Sequence, residues 1–462
     1  MNKILPPETW GLRVDADNML CIDSIRLVDL AKEFGTPLHV VNKERLEHTA
    51  RSFVSTVKKI YPGKSSVHYA CKCNSVSGVV KIIRSAGLKA EVMSIFELKL
   101  ALLLGYSGND IIVNGPYKTD ELLRFCIENT VRLIIVDSIT ELHTLNRIAD
   151  ESGSEVGVLL RLNPDITPKG MNSGSATGSR KGSPFGLDVK GGEAIRALEL
   201  LPQMRRLRFF GYHFHIGTGI RYPEDYKRTL RSLRSLFGET KRRGFDIQII
   251  DTGGGIASMT TRELTAKELL LYQGFNRFPN NSGERRTIAL DSFIGTITEG
   301  IQELFSPAEL PELILEPGRC IASPNQLLLL TVHRVKNRPG VGTWFITDGG
   351  LGTVTMPTYY EYHEVFLCND VYRPRNKKVT IAGPGCFAAD IVYKNKRMPE
   401  SYPGEVLAIM DSGAYFTALE SSFGYPRPAI VSVSHDRVQL MRKRETFHDM
   451  IHCDKVVEQC TQ

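Results

Sequence analysis

The sequence predicts an α/β protein: a (β/α)8 TIM-like barrel joined to a mainly-β domain. Two observations predict it. Between about residues 36 and 319, eight short β-rich runs alternate with longer helical patterns, and each run is almost wholly apolar. Past Cys320 the helical periodicity fades, and short β-like runs separated by Gly, Pro and Asn take over. Strands buried on both faces read as continuous apolar stretches, as a closed parallel barrel requires. A doubly wound open sheet is the competing arrangement.

The eight runs are Val67–Ala70, Lys89–Val92, Ile111–Asn114, Leu133–Val136, Val156–Leu162, Phe209–His215, Ile247–Asp251 and Glu312–Glu316. Stretches such as Ser75–Ala86 and Ile95–Leu104 lie between them, with apolar residues three and four apart. The second domain is drawn from Leu327–Arg334, Gly342–Thr347, Lys378–Ala382, Gly404–Met410 and Ala429–Val433. Pro37–Val41 also reads as a strand, so residues 1–35 are expected to join residues 320–462, leaving 36–319 to the barrel. Thr167–Ser183, rich in Gly, Ser and Lys, and the polar stretch from Phe278 to Arg286 read as surface loops, of the kind that often covers barrel sites.

Composition excludes several classes. With 42% hydrophobic and 24% charged residues, the 462-residue chain is neither disordered, collagen-like nor a polytopic membrane protein. No stretch reaches the ~20 apolar residues of a membrane helix. The start lacks a signal peptide's apolar core, so a cytoplasmic protein is expected. Nine scattered cysteines make no disulfide framework and have no zinc-ligand spacing. The net charge of +7 suits an anionic ligand, and equally plain solubility. Basic residues do not alternate with aromatics, so no nucleic-acid partner is expected.

Barrel chemistry sits at the C-terminal strand ends, and those ends are informative. The first run leads into Lys72, where partial desolvation would favour a nucleophilic amine over a merely solvated one. The sixth ends at His213-Phe214-His215, followed by Gly217-Thr218-Gly219. The seventh leads into Gly253-Gly254-Gly255, where bare backbone N–H groups can converge on an anion. The eighth ends at Glu316-Pro317-Gly318-Arg319. Singly, these could be a surface lysine, a tight turn and a structural ion pair. Together they offer an amine, a flat ring for stacking, an anion cradle and a carboxylate for a ring nitrogen. That is the set a phosphorylated pyridine aldehyde, pyridoxal 5'-phosphate, requires.

These segments, with Glu91/Ser94/Glu97, Leu160–Pro164, Asp348–Gly350, Gly383–Cys386, Asp390 and Asp411–Tyr415, run through nearly the whole length. In them the chain resembles the alanine-racemase-like (fold type III) pyridoxal-phosphate decarboxylases, and most of all the diaminopimelate and ornithine decarboxylases. The resemblance implies that Lys72 carries the cofactor covalently, His215 stacks on its ring, and Glu316 pairs with the ring nitrogen. Gly254, Gly255, Thr218, Arg319 and Tyr415 would hold the phosphate, and Arg161 would lie beside the cofactor. Glu91 stands where the family usually has Asp. Cys386 of the partner subunit would return a proton to Cα after carbon dioxide leaves, which implies a homodimer with shared active sites.

Three positions depart from the diaminopimelate pattern. Cys-Glu-Ser-Gly-Asp becomes Cys386-Phe387-Ala388-Ala389-Asp390, so the acid that reads a distal amino group is phenylalanine. The arginine for a distal carboxylate aligns with Met356, in a segment running to Tyr360. Ser-Lys-Phe-Gly becomes Ser183-Pro184-Phe185-Gly186. Arg319, Met356, Tyr360, Cys386 and Phe387 are therefore the substrate-reading candidates. Losing a buried partner for a charged substrate end costs about 2–5 kcal/mol. The expected substrate is an amino acid or a conjugated or carrier-tethered one, as in siderophore and other secondary-metabolite routes, rather than meso-diaminopimelate. A diaminopimelate, ornithine or lysine decarboxylase proper is the alternative. A racemase or epimerase on the same scaffold is disfavoured by Glu316 and Cys386. A non-catalytic cofactor-buffering protein is disfavoured by the second domain.

Overall fold

The computed structural model describes residues 4–171, 176–279, 289–355 and 357–455. Two compact units result: residues 47–257 with 286–320, and residues 1–46 with 258–285 and 321–462.

The first unit is the barrel. Its strands are β1 (Ser65–Ala70), β2 (Lys89–Val92), β3 (Ile111–Val113), β4 (Leu133–Val136), β5 (Val156–Asn163), β6 (Leu207–Phe214), β7 (Ile249–Asp251) and β8 (Glu312–Leu315). Each pairs in parallel with its sequence neighbour, and β8 pairs with β1 through Leu315↔Val67, closing the ring. Closure disposes of the open-sheet alternative. Ile112, Leu133, Ile135, Leu159, Ile249 and Ile314 fill the interior, with Phe210 packed against them. The interior is thus a solid core that leaves the strand ends for chemistry. Ser94 caps the helix Ile95–Leu103 by accepting from Glu97 N, which fixes where Glu97 points.

The second unit is built on the long strand Gln326–Arg338, which pairs with Leu38–Asn42, Gly342–Thr347 and Val406–Ile409. Its side chains alternate between two cores. Leu327 and Leu329 join Trp10, Leu20 and Leu27, while Leu328, Leu330 and Val332 join Tyr272, Phe278 and Phe345. Burial on both faces explains the unbroken apolar run. Two stretches fall differently from the boundaries drawn from sequence. Leu38–Asn42 belongs with this sheet, and so does 258–279, whose Arg262–Glu263 pairs with Glu361–Tyr362.

Both predicted surface loops contain buried residues. In Thr167–Ser183, Ala176 and Ser179 are buried, and Thr177 Oγ1 donates to His215 O at 3.0 Å. Residues 172–175 of that segment lie outside the described residues. Phe278 is core, stacked on Tyr362 at 5.5 Å, while 280–288 lie outside the description. Among the described residues no helix is long and apolar enough to cross a membrane.

Candidate active site

Strand β1 runs into a tight 3-10 turn, Cys71–Cys73, that buries both thiols and presents Lys72 between them. Lys72 Nζ donates to Glu91 Oε2 at 2.6 Å. Register makes this pair, since Ala70 lies opposite Glu91 on β2. Glu91 is fully enclosed and its Oε1 has no hydrogen-bond partner. Burial pushes its carboxyl above the ordinary range, against the pull of the Lys72 ammonium. Glu97 accepts from Met93 N at 2.9 Å and is pushed up to about 7 by burial.

The remaining strand ends converge on one polar floor. In the β5–β6–β7 register, His213 lies beside both Arg161 and Asp251. Arg161 Nη1 donates to Asn114 Oδ1 at 3.2 Å, approaches Asp137 Oδ1 at 3.4 Å, and its guanidinium stacks on Phe185 at 4.5 Å. Asn114 Nδ2 donates to Glu316 Oε1 at 3.4 Å and lies 3.2 Å from His213 Nε2. His213 Nε2 is 3.5 Å from Glu316 Oε2. Burial, with the Arg161 charge behind it, holds His213 far below the usual imidazole range, so the ring is neutral.

Above this floor lies the glycine segment. A Cβ on Gly254 would stand 2.1 Å from Glu316 O, and one on Gly255 2.0 Å from Gly217 O. Only bare backbone fits there. Gly254 N donates to His215 Nδ1 at 3.2 Å, fixing the ring as an acceptor at that nitrogen. His215 is also neutral, held down by burial and then by Lys72. Tyr226 Oη donates to Gly254 O at 2.7 Å and anchors the turn from behind. Arg319 Nε donates to Thr218 Oγ1 at 3.3 Å, joining two of the expected phosphate holders.

Cys386, Phe387, Tyr360 and Tyr415 belong to the sheet unit. Cys386 is exposed, in a loop pinned by Asp390, whose carboxylate accepts from Leu351 N and Gly385 N, both at 2.6 Å. Phe387 is 49% exposed, its ring 5.8 Å from that of Phe423. Tyr359 Oη donates to Ala389 O at 3.2 Å and Tyr425 Oη to Pro384 O at 2.9 Å. Tyr360 O accepts from Leu264 N at 2.7 Å. Tyr415 adopts the left-handed conformation (φ 67°), and its carbonyl accepts from Thr355 Oγ1 at 3.1 Å. Met356 lies outside the described residues.

Residues 46–323 match the family described as "Pyridoxal-dependent decarboxylase, pyridoxal binding domain", and 270–413 match its "C-terminal sheet domain". The chain belongs to this family. Among its relatives, the diaminopimelate decarboxylase of Methanocaldococcus jannaschii is 31% identical over 447 residues, 95% of this chain and 96% of that one. The Bacillus subtilis diaminopimelate decarboxylase is 27% identical, covering 94% of each chain. A crystal structure of the M. jannaschii enzyme superposes with a TM-score of 0.85 at 29% identity, covering 96% of this chain and 97% of that one. The same enzyme has been solved with L-lysine.

The chain is thus a pyridoxal-phosphate-dependent decarboxylase, a carboxy-lyase, and its barrel suits that cofactor. A primary amine, a neutral imidazole, a backbone cradle that no Cβ could share and an enclosed carboxylate lie at successive strand ends. Nine of the residues singled out from sequence (Lys72, Glu91, Arg161, His215, Thr218, Gly254, Gly255, Glu316 and Arg319) lie on the barrel unit of this decarboxylase. Asn114, Asp137, His213 and Asp251 were not among them, although each sits at or next to a strand end. The rule that barrel chemistry gathers there was the signal that could have found them.

Proposed function

We propose that the enzyme removes the α-carboxylate of an amino acid, or of a conjugated or carrier-tethered amino acid, whose distal end bears no ammonium group, rather than of meso-diaminopimelate. The observation that carries this is the Cys386 loop. Its single carboxylate, Asp390, is buried and spent on two backbone N–H groups, and the side chain it offers next to Cys386 is the half-exposed Phe387. A distal ammonium would meet an aromatic ring where it needs a carboxylate.

When bound, pyridoxal phosphate supplies an electron sink for the pair released as the Cα–carboxylate bond breaks. In this reading Lys72 is the attachment point and Glu91 holds its amine in place. His215, neutral and hydrogen-bonded by Gly254 N, supports the ring face. Glu316 faces the ring nitrogen and favours its protonated form. Gly254, Gly255, Thr218 and Arg319 take the phosphate. Cys386 of the partner subunit returns a proton to the carbon that has lost carbon dioxide, which makes the working unit a homodimer; the cytoplasm is the compartment that suits it.

The relatives' names favour a second reading, diaminopimelate decarboxylase proper. A substrate panel separates the two. The purified enzyme is offered meso-diaminopimelate, lysine, ornithine, and neutral and acyl-conjugated amino acids, with carbon dioxide release and product mass as readouts. Preferred turnover of a neutral-ended substrate supports the first reading, and preferred turnover of meso-diaminopimelate establishes the second. Borohydride fixation of the cofactor on any residue but Lys72 would defeat both.

A further inference from the structure

Asp251 has no part in the roles above, yet its side chain is completely enclosed at the floor of the site. It ends β7, and its Oδ1 accepts from Gly253 N at 2.8 Å, while Oδ2 accepts from no neighbouring N–H or hydroxyl group. A ring nitrogen of His213 and one carboxyl oxygen each of Asp251 and Glu316 all lie within 4.8 Å of one another. Two carboxylates this close, away from water, repel one another strongly, so a single proton between them is favoured.

The charges around the pair leave little to neutralise a second anion. The cations facing it are Lys72 and Arg161, and each already meets another acid: Lys72 donates to Glu91 at 2.6 Å, and Arg161 lies 3.4 Å from Asp137. His213, the side chain between Asp251 and Arg161 in register, is neutral. Five enclosed carboxyls (Glu91, Glu97, Asp137, Asp251 and Glu316) thus lie around these two cations.

We propose that Asp251 is a positioning residue that remains a neutral carboxylic acid beside Glu316, leaving Glu316 as the ionised carboxylate of the pair. Asp251 is the one to keep the proton. Burial and the neighbouring Glu316 both push it well above the ordinary carboxylate range. Glu316 is also raised by burial, but Lys72, Arg161, Asp251 and Asn114 all pull it back. A neutral donor there steadies the Glu316 anion without adding a second negative charge. The catalytic consequence rests on the proposed pairing of Glu316 with the cofactor ring, whereas the protonation is a property of the chain alone.

Infrared spectroscopy of the full-length protein tests the protonation directly. At neutral pH, protein labelled with carboxyl-13C aspartate should show an isotope-shifted protonated-carboxyl stretch, and Asp251→Asn should remove it. Absence of that band in the wild type, or its survival in Asp251→Asn, overturns the proposal. The holoenzyme gives a second readout. Asp251→Leu, which removes the donor, should raise the acid limb of the kcat/KM profile by about one pH unit. Asp251→Asn, whose amide still donates, should restore it. An acid limb that moves down in Asp251→Asn would mean that Asp251 is ionised, and would also overturn the proposal. If Glu316→Gln left the bound cofactor's absorbance unchanged, the ring-nitrogen reading would fail while the infrared result stood.

Discussion

Lys72 Nζ sits 2.6 Å from Glu91 Oε2, joining a one-third-exposed ammonium to a carboxylate with almost no contact with solvent. The pair is asymmetric. Removing the lysine strands a buried carboxylate, whereas removing the glutamate leaves an amine that can still reach water. Lys72→Ala should therefore abolish borohydride-stable cofactor attachment and also destabilise the chain by about 2 kcal/mol. Adding Glu91→Gln to Lys72→Ala should recover much of that stability and none of the attachment. Urea unfolding of the cofactor-free variants, with mass spectrometry after reduction, checks both halves.

His68 supplies a pH signature remote from catalysis. It is completely buried on β1, with Nε2 3.2 Å from Ser66 Oγ and Nδ1 3.3 Å from Ala90 O. Burial lowers it from 6.5 to about 3. The unfolded chain therefore binds a proton that the native state refuses between those values. The stability linked to His68 is whole above pH 6.5 and is lost as pH falls toward 3. Glu97, raised from 4.5 to about 7, works in the opposite sense, favouring the native state as pH falls through that window. Comparison with His68→Gln isolates the histidine. The variant should gain about 2 kcal/mol relative to wild type between pH 6.5 and 5, read from urea midpoints at each pH.

The parts legible in the sequence are those where one physical requirement acts alone. Barrel strands must be apolar on both faces, so all eight stood out, and closure made their C-terminal ends adjacent. The sheet unit hid more. Ile391–Met398 contains three basic residues and does not read as a strand, because a buried lysine breaks the apolar pattern. Lys396 is 2% exposed, its Nζ donating to His363 O at 3.0 Å and lying 3.9 Å from the centre of the Tyr362 ring. Phe278 was hidden in the same way, because a polar local sequence says nothing of a stacking partner such as Tyr362, 84 residues further on. The polar floor of the site was only half legible. Strand ends announce position, but whether Asn114 or Asp251 meets Glu316 is decided by the ring's register.

Gly254 should tolerate no side chain. A Cβ there lands 2.1 Å from the Glu316 carbonyl oxygen, a backbone atom that cannot rotate aside. Gly254→Ala should weaken pyridoxal phosphate at least about tenfold, because the turn must move away from both His215 and the β8 end. Absorbance titration of the cofactor-free protein measures this. Gly238, in the helix Arg234–Arg242, gives the contrast, since a methyl group placed on it would meet nothing within 4 Å. Gly238→Ala should stabilise the chain by about 0.5–1 kcal/mol and leave cofactor affinity unchanged.

Asp390 decides whether the Cys386 loop keeps its shape. Its carboxylate bridges Leu351 N and Gly385 N, and added Cβ atoms at Gly350 and Gly383 would stand 1.9 and 2.4 Å from its oxygens. The bridge therefore works only with a carboxylate between two bare glycines. Asp390→Asn keeps the volume but replaces one acceptor with a donor aimed at an N–H group, so at least one buried hydrogen bond is lost, at a cost of about 1–3 kcal/mol. If the loop carries the proton donor, kcat should fall by about a hundredfold. Cofactor loading on Lys72 should persist, because every barrel residue assigned to it is untouched. Steady-state kinetics beside the absorbance of the loaded enzyme separate these effects. Loss of cofactor with retained kcat per loaded site would place the loop outside the chemistry.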